Sequence, residues 1–172
     1  MAEIAPAPFR QEAAEETARL LIQRLTECSR DLVLAESCTA GLVAEILARV
    51  PGASRALWGS FVCYTAEAKI AMLGLDPVRL NRFGLVSGET ALDMACGALK
   101  KSGASIAAAI TGLAGPEGDG SAVPVGTVWI AAAERGAQSE AHVHNFTGSR
   151  NEIRFQAAFT ALRELLRILD KN

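Results

Sequence analysis

The chain has 172 residues, of which 50% are apolar and 21% are charged, and its formal net charge is -2. This composition suits one folded domain with a substantial core. Lysine and arginine are scattered among acidic residues, so no basic stripe predicts binding to nucleic acid. No apolar run approaches the roughly 18 residues of a membrane span, and the start lacks the pattern of a signal peptide. We therefore expect a cytoplasmic protein that binds neither nucleic acid nor a membrane. We also expect a flexible leader over residues 1–8 and a single domain over 9–172.

The four cysteines, Cys28, Cys38, Cys63 and Cys96, form no CxxC pair and lie in apolar segments. We expect them to be reduced, mostly buried thiols that behave as small hydrophobic residues. Cys38 adjoins Ser37, which leaves a thiolate nucleophile open, although no histidine lies nearby in the sequence.

The first third of the chain predicts a helix, a strand, a sharp turn and a second helix. Apolar residues recur at helical spacing over residues 9–28, as in an amphipathic helix. Residues 31–35 form a short apolar run bounded by polar residues, which predicts a buried strand. Small or polar residues follow at 36–39, and helical spacing then resumes at Leu42 until the Pro-Gly pair at 51–52.

The middle of the chain predicts one strand and three helices. Residues 57–64 are rich in aromatic and β-branched side chains, which favour a strand. Residues 66–73 predict a helix, and a second, short helix follows over 76–84, with proline in its first turn and glycine at its exit. Ser87 can cap the next helix, whose apolar face consists mostly of small residues.

The last third predicts a strand, a loop, a hairpin and a final helix. Residues 105–110 are apolar throughout and favour a strand, whereas residues 111–120 contain four glycines and favour a loop. Residues 126–133 and 139–146 predict two adjacent antiparallel strands. Ser149 begins a capping box that opens a long amphipathic helix. Early strands separated by helices, then a hairpin and a helix, favour a three-layer α/β/α sandwich with a mixed, mostly parallel sheet of about five strands.

Two of these segments can form a binding site. In open α/β sheets, ligands gather beyond the carboxyl ends of the strands. The turn at 36–39 ends the first strand and the loop at 111–120 ends the third, so both can meet at one crevice. A serine near a helix N-terminus and glycines that expose backbone donors suit acyl transfer on an anionic substrate. The alternative interpretation is that Ser37 merely caps the helix and the glycines merely make turns.

A serine nucleophile needs a base, and lysine is a better candidate than histidine here. His142 and His144 lie two apart on a predicted strand and share one face, where they could touch a metal together. The sequence shows no third ligand, so we assign no metal site. Lys69 lies in an otherwise apolar helix, where desolvation would lower its pKa and let it accept the serine proton. The alternative is an exposed helical lysine.

Several motifs in register resemble the C-terminal domain family of the competence/damage-inducible protein CinA. The resemblance extends from about Phe9 to the last helix. Its motifs are Ala35-Glu36-Ser37-Cys38-Thr39, Tyr64, Ala68-Lys69, Val86-Ser87, Thr111-Gly112-Leu113-Ala114-Gly115-Pro116, Pro124-Val125-Gly126-Thr127-Val128 and Arg150.

The resemblance implies a nicotinamide-nucleotide amidase that converts nicotinamide mononucleotide to nicotinate mononucleotide and ammonia in pyridine nucleotide recycling. It implies no metal or organic cofactor, a small nucleotide as substrate, and a homo-oligomer, most often a dimer. Ser37 would be the nucleophile, Lys69 the general base and Tyr64 a hydrogen-bonding member of the same network. The substrate would be held by five residues: Thr39, Thr111, Gly112, Gly115 and Arg150, the last meeting the phosphate.

The chain departs from the family pattern at four positions. Family members usually read SCTGG at 37–41, YSN at 64–66, KPVG at 123–126 and GDR at 148–150. Within these motifs this chain instead has Ala40, Ala66, Val123 and Ser149. These changes add a methyl group at a tight turn and remove an amide, a cation and a carboxylate. They favour an alternative, a nucleotide-binding or regulatory domain with weak or lost amidase activity. Amide hydrolysis on another small substrate is a third hypothesis.

Overall fold

The computed structural model describes residues 11–170, so the leader predicted for residues 1–8 lies outside the described part of the chain. That part contains helices and strands together with a 3-10 turn (Ala53–Arg55) and a π-helical turn (Lys69–Leu73). The elements are α1 (Gln11–Glu27), β1 (Leu32–Glu36), α2 (Leu42–Ala48), β2 (Leu57–Val62), α3 (Ala66–Ala68), α4 (Pro77–Phe83), α5 (Gly88–Ser102), β3 (Ile106–Gly112), β4 (Thr127–Glu134), β5 (Glu140–Asn145) and α6 (Arg150–Leu169).

The five strands form one mixed sheet in the order β2-β1-β3-β4-β5. β1 pairs in parallel with β2 and β3, whereas β3–β4 and β4–β5 are antiparallel. Only β4 therefore runs against the other strands, which confirms the mixed, mostly parallel sheet. Because β1 and β3 are adjacent and parallel, with Glu36 opposite Ile110, their carboxyl ends meet at the same edge.

Helices cover both faces of the sheet, which confirms the three-layer architecture. Leu32 and Leu34 point into the core beneath α1, α2 and α6, whereas Val33 and Ala35 point into the core beneath α5 and the π-turn. Every residue of β1 is buried, as expected of a parallel strand covered on both faces. No helix within residues 11–170 combines the length and apolarity needed to cross a membrane.

Small residues let α5 lie close to its neighbours. Ala91, Ala95 and Ala98 are fully buried on its inner face, as the sequence predicted. A Cβ atom at Gly97 would lie 2.5 Å from the carbonyl oxygen of Leu73, so the π-turn packs directly against this helix. This contact holds the π-turn, and with it Lys69, against the sheet.

Three predictions about position were wrong. Cys28 and Cys96 are exposed, because Cys28 follows the last residue of α1 and Cys96 lies on the outer face of α5. Thr111 and Gly112 belong to β3 and pair with β4, so the glycine loop begins after them. Tyr64 lies beyond the end of β2, in the segment that leads to α3.

Candidate active site

Ser37 follows the last residue of β1 and is tied to the next strand. Its amide donates to the carbonyl of Ile110 at 2.9 Å, and its own carbonyl accepts from the amide of Ala40 at 3.0 Å. The N-cap of α2 is Gly41, at φ 91°, without a side-chain cap. The interpretation of Ser37 as a helix cap is therefore wrong. Its side chain is instead turned toward Lys69.

Glu36 supplies the missing cap, and sequence reasoning did not single it out. Its fully buried carboxylate accepts hydrogen bonds from the amides of Val43 and Ala44, at 3.1 and 3.0 Å, and from the hydroxyl of Ser60 at 3.1 Å. A carboxylate at a helix N-terminus satisfies amides that have no partner within the helix. Glu36 thereby fixes α2 to the strand end that carries Ser37. The only sequence signal was an acid placed shortly before a helix.

Lys69 is the largest polar side chain in the core, with 1% of its surface exposed. Its Nζ donates to Ser37 Oγ at 2.9 Å and to the carbonyl of Cys63 at 3.0 Å. Burial lowers the pKa of Lys69 below its ordinary value of 10.5. The predicted desolvation is confirmed. No carboxylate of residues 11–170 forms an ion pair with Lys69. Because no paired negative charge stabilises the ammonium form, Lys69 can lose its proton and become a neutral amine.

Cys38 does not have the environment of a reactive thiolate. It is buried, and burial raises the pKa of the thiol to about 12. A thiol with such a pKa stays protonated at neutral pH, and the thiolate is the nucleophilic form. This favours Ser37 over Cys38 as the nucleophile.

Arg150, the first residue of α6, joins two other segments of the predicted site. Its guanidinium donates to Tyr64 Oη at 2.6 Å and to the carbonyl of Gly115. Ser149 and Glu152 form the predicted capping box, so the helix start that carries Arg150 is well defined. Ser149 therefore performs the capping task that an aspartate would perform, since both residues are good N-caps.

Arg154 is a second residue that sequence reasoning missed. Its Nε donates to the carbonyl of Cys38 at 3.1 Å, and its Nη2 donates to the carbonyl of Thr39 at 2.9 Å. The available signal was its spacing, because residues four apart on a helix share a face and Arg150 was already singled out. Both arginines of this face reach toward the end of the sheet where Ser37 lies.

The remaining predicted residues differ in their surroundings. Thr111 is buried and its hydroxyl donates to the carbonyl of Leu85 at 2.7 Å. A Cβ at Gly112 would come within 2.6 Å of Val128, so strand packing alone requires glycine there. The hydroxyl of Thr39 is buried and has no hydrogen-bond partner within the described residues. The structure thus joins Ser37 with Lys69, and Tyr64 and Gly115 with Arg150.

The histidines do not share a site. Ligand atoms of His142, Glu140 and Glu164 lie within 4.8 Å of one another, whereas His144 stacks on Phe146 with ring centroids 5.7 Å apart. Arg167 pairs with both carboxylates of this group. A metal ion would have to displace that guanidinium, so we assign no metal there.

Of the four departures, Ala40 has the clearest structural consequence. It has φ 51°, in the left-handed region that glycine tolerates and a residue with a Cβ resists. Ala66 is the first residue of α3, which Thr65 caps by accepting from the amide of Ala68 at 3.2 Å. The turn beside Ser37 is therefore formed despite some backbone strain.

The fold and the site define an α/β domain with a buried lysine–serine pair at the carboxyl edge of its sheet. The family model described as the CinA C-terminal domain matches residues 14–169. The chain belongs to this family.

Relatives and solved structures agree with that assignment. A CinA-like protein of Syntrophomonas wolfei is 42% identical over 148 residues, which are 86% of this chain and 35% of that protein. The chain thus spans about a third of that relative's length. A protein of Enterobacter agglomerans named nicotinamide-nucleotide amidohydrolase PncC is 38% identical over 80% of this chain and 84% of its own. The crystal structure of competence/damage inducible protein CihA from Agrobacterium tumefaciens, 39% identical, covers 99% of both chains with a TM-score of 0.87.

Proposed function

We propose that the protein hydrolyses the carboxamide of nicotinamide mononucleotide to nicotinate mononucleotide and ammonia, in pyridine nucleotide recycling. The observation that carries this proposal is the buried contact of 2.9 Å between Lys69 Nζ and Ser37 Oγ. A hydroxyl within hydrogen-bond reach of a desolvated amine is the arrangement that nucleophilic catalysis requires. The name of the Enterobacter agglomerans relative supports the choice of substrate.

Lys69 takes and returns one proton in each half of the reaction. The Ser37 hydroxyl attacks the carboxamide carbon and passes its proton to the neutral amine of Lys69. The tetrahedral intermediate then loses its C–N bond while Lys69 protonates the leaving nitrogen, which departs as ammonia. Water, deprotonated by Lys69, cleaves the resulting ester to the carboxylate and restores the serine. A lysine whose pKa lies below its ordinary value suits both directions of this transfer.

Substrate binding is assigned to the residues around Arg150. The guanidinium can hold the phosphate bidentately, and the N-terminus of α6 adds a favourable field. The hydroxyl of Tyr64 accepts a hydrogen bond from Arg150, so Tyr64 would hold the guanidinium in place or move together with it. Thr39, Thr111, Gly112 and Gly115 complete the substrate-binding set, and the unpartnered hydroxyl of Thr39 supports its inclusion.

Ammonia release tests this proposal directly. Purified protein is incubated with nicotinamide mononucleotide, and ammonia is measured against Ser37→Ala and Lys69→Met. We expect turnover that both variants abolish. Release that stays at the Ser37→Ala background would reject the amidase activity, and release from other amides alone would redirect it to another small substrate.

The second candidate is a nucleotide-binding domain with weak or lost turnover. The observation that favours it is the left-handed backbone of Ala40, at φ 51°, which strains the turn beside Ser37 where the family pattern has glycine. Calorimetry that detects nucleotide binding without ammonia release would support this candidate, and rapid hydrolysis would exclude it.

We also propose that the protein works in the cytoplasm as a homodimer. Sedimentation tests the oligomeric state, and cell fractionation tests the location.

A further inference from the structure

Three successive carbonyl groups at the turn after Ser37 have hydrogen-bond donors. The carbonyl of Ser37 accepts from Ala40, and the carbonyls of Cys38 and Thr39 accept from Arg154. Because a trans peptide unit points its carbonyl and its amide in opposite directions, the amide of Thr39 points away from Arg154. The guanidinium therefore determines how the peptide between Cys38 and Thr39 is oriented.

Two amide groups of the same turn, those of Cys38 and Thr39, lack such partners, although the amide of Cys38 lies beside its own thiol. Within residues 11–170, no carbonyl, carboxylate or hydroxyl accepts a hydrogen bond from the amide of Cys38 or of Thr39. Both residues are buried, at 5% and 0% exposure. Buried amides are nearly always paired, so an unpaired one calls for an explanation such as catalysis. These two amides follow directly on the proposed nucleophile.

We propose that Arg154 is a positioning residue, which orients the amide of Thr39 so that, together with the amide of Cys38, it stabilises the oxyanion that forms when Ser37 attacks. This inference rests on the proposed function and deepens it, because it identifies the donors that the reaction needs. Donors held in place before the reaction stabilise developing negative charge without reorganisation. Arg154 itself stays on the opposite side of the peptide and does not touch the substrate.

An arginine suits this task better than a lysine. Two separate guanidinium nitrogens hold two successive carbonyls, a fixed geometry that a single ammonium point charge lacks. The same guanidinium donates from Nη1 to the side chain of Asn151 at 3.3 Å, which anchors it to α6. The helix that carries Arg150 thus also shapes the turn beside the nucleophile.

The test combines steady-state kinetics with a probe that needs no nucleotide. Arg154→Met and Arg154→Lys are compared with Arg163→Met, a control at an exposed arginine of the same helix. We expect Arg154→Met to lower kcat for ammonia release by about 10²-fold with little change in KM, Arg154→Lys to recover part of the loss, and the control to match wild type. The pH at which the rate is half-maximal should not move, because Arg154 does not contact Lys69.

A fluorophosphonate probe supplies the second readout. Ser37 Oγ forms a bond to phosphorus, the P–F bond breaks, fluoride leaves, and Lys69 takes the serine proton. Mass spectrometry follows labelling at a temperature where circular dichroism shows every variant folded. We expect Arg154→Met to label Ser37 about 10²-fold more slowly than wild type.

The two readouts separate the two proposals. Labelling of wild type that Arg154→Met slows, without ammonia release from nicotinamide mononucleotide, would reject the substrate but support the role of Arg154. Labelling and kcat of folded Arg154→Met at wild-type levels would overturn that role. A KM effect without a kcat effect, or no labelling of wild-type Ser37 at all, would also overturn it.

Discussion

The two ends of α6 present their arginines to different partners. At the first end, Arg150 and Arg154 donate to backbone carbonyls and to a tyrosine hydroxyl, and no carboxylate within residues 11–170 pairs with either. At the other end, about 25 Å away by helical rise, Arg167 pairs with Glu140 and Glu164.

The positive charge at the first end of α6 is available to an anion, whereas the positive charge at the second end is neutralised. Carbonyls and hydroxyls orient a guanidinium but leave its net charge, so the first end can still attract an anion. Two carboxylates cancel the charge at the second end, where partly exposed ion pairs contribute little to stability. The first end lies beside Ser37 and Lys69, and the second lies beside β5. The predictions below test whether this contrast has the functional meaning that we assign to it.

The largest effect is expected at Lys69, whose buried amine lies beside the first end. Lys69→Met should lower ammonia release by about 10³-fold or more, because the serine loses its base. The same change should raise the free energy of unfolding by about 1 kcal/mol, since a desolvated amine is replaced by an apolar side chain. Kinetics and thermal unfolding measure both. A variant that is inactive but less stable than wild type would indicate that Lys69 has a structural role.

The next effect compares the two ends directly. Arg150→Met should raise KM for the nucleotide by roughly tenfold to a hundredfold, the equivalent of one lost charge-assisted hydrogen bond to phosphate. Arg167→Met should leave KM and kcat unchanged. Equal losses in the two variants would remove the distinction between the ends of α6.

A pH profile sharpens the interpretation of Lys69. Because burial lowers the pKa of Lys69, the folded state releases this proton at a lower pH than the unfolded state does. Below that pKa the ammonium cannot accept the serine proton, so kcat/KM should fall about tenfold for each pH unit. We expect the inflection to lie below 10.5, the ordinary value.

The pH dependence of the free energy of unfolding should also reflect the proton of Lys69. In the window between the lowered pKa and 10.5, the unfolded state binds more protons at Lys69, so this residue makes the folded state more stable as pH rises. Lys69→Met should lose this part of the pH dependence in denaturant unfolding. An unchanged dependence would mean that Lys69 titrates normally.

The smallest effect concerns the turn that Arg154 holds. Ala40 and Ser29 are the non-glycine residues with positive φ in the described chain, at 51° and 52°. Ala40→Gly and Ser29→Gly should each stabilise the fold by about 0.5 to 1 kcal/mol, as measured by urea unfolding. Ser29 lies outside the site, so only Ala40→Gly should be able to alter turnover. Destabilisation by Ala40→Gly alone would show that the methyl group at 40 packs usefully.

Features encoded by nearby residues were predictable from the sequence. The capping box at Ser149, the β4–β5 hairpin and the turn between β1 and α2 all depend on residues close in the chain. The desolvation of Lys69 also followed from its apolar segment. The proposal that it pairs with Ser37 rested on the need of a serine nucleophile for a base and on the family motifs, because residues 32 positions apart carry no local signal of their contact.

Contacts with distant backbone atoms were not predictable. Arg154 reaches carbonyls 115 and 116 residues away, and any side chain can be opposite a carbonyl because every residue has one. Glu36 was missed because its partners are amides whose exposure depends on where α2 starts. Cys28 and Cys96 were misplaced because an apolar segment does not reveal which residues lie at its outer surface.

The π-turn that carries Lys69 has a consequence for the helical phase. An α-helix advances about 100° per residue, and a π-turn accommodates one more residue than an α-turn does. Loss of a single residue within Lys69–Leu73 would therefore rotate the lysine by about 100° relative to Leu73, which is buried against α5. The amine would then leave the serine while the core stayed filled. A one-residue deletion here should abolish ammonia release without unfolding the domain.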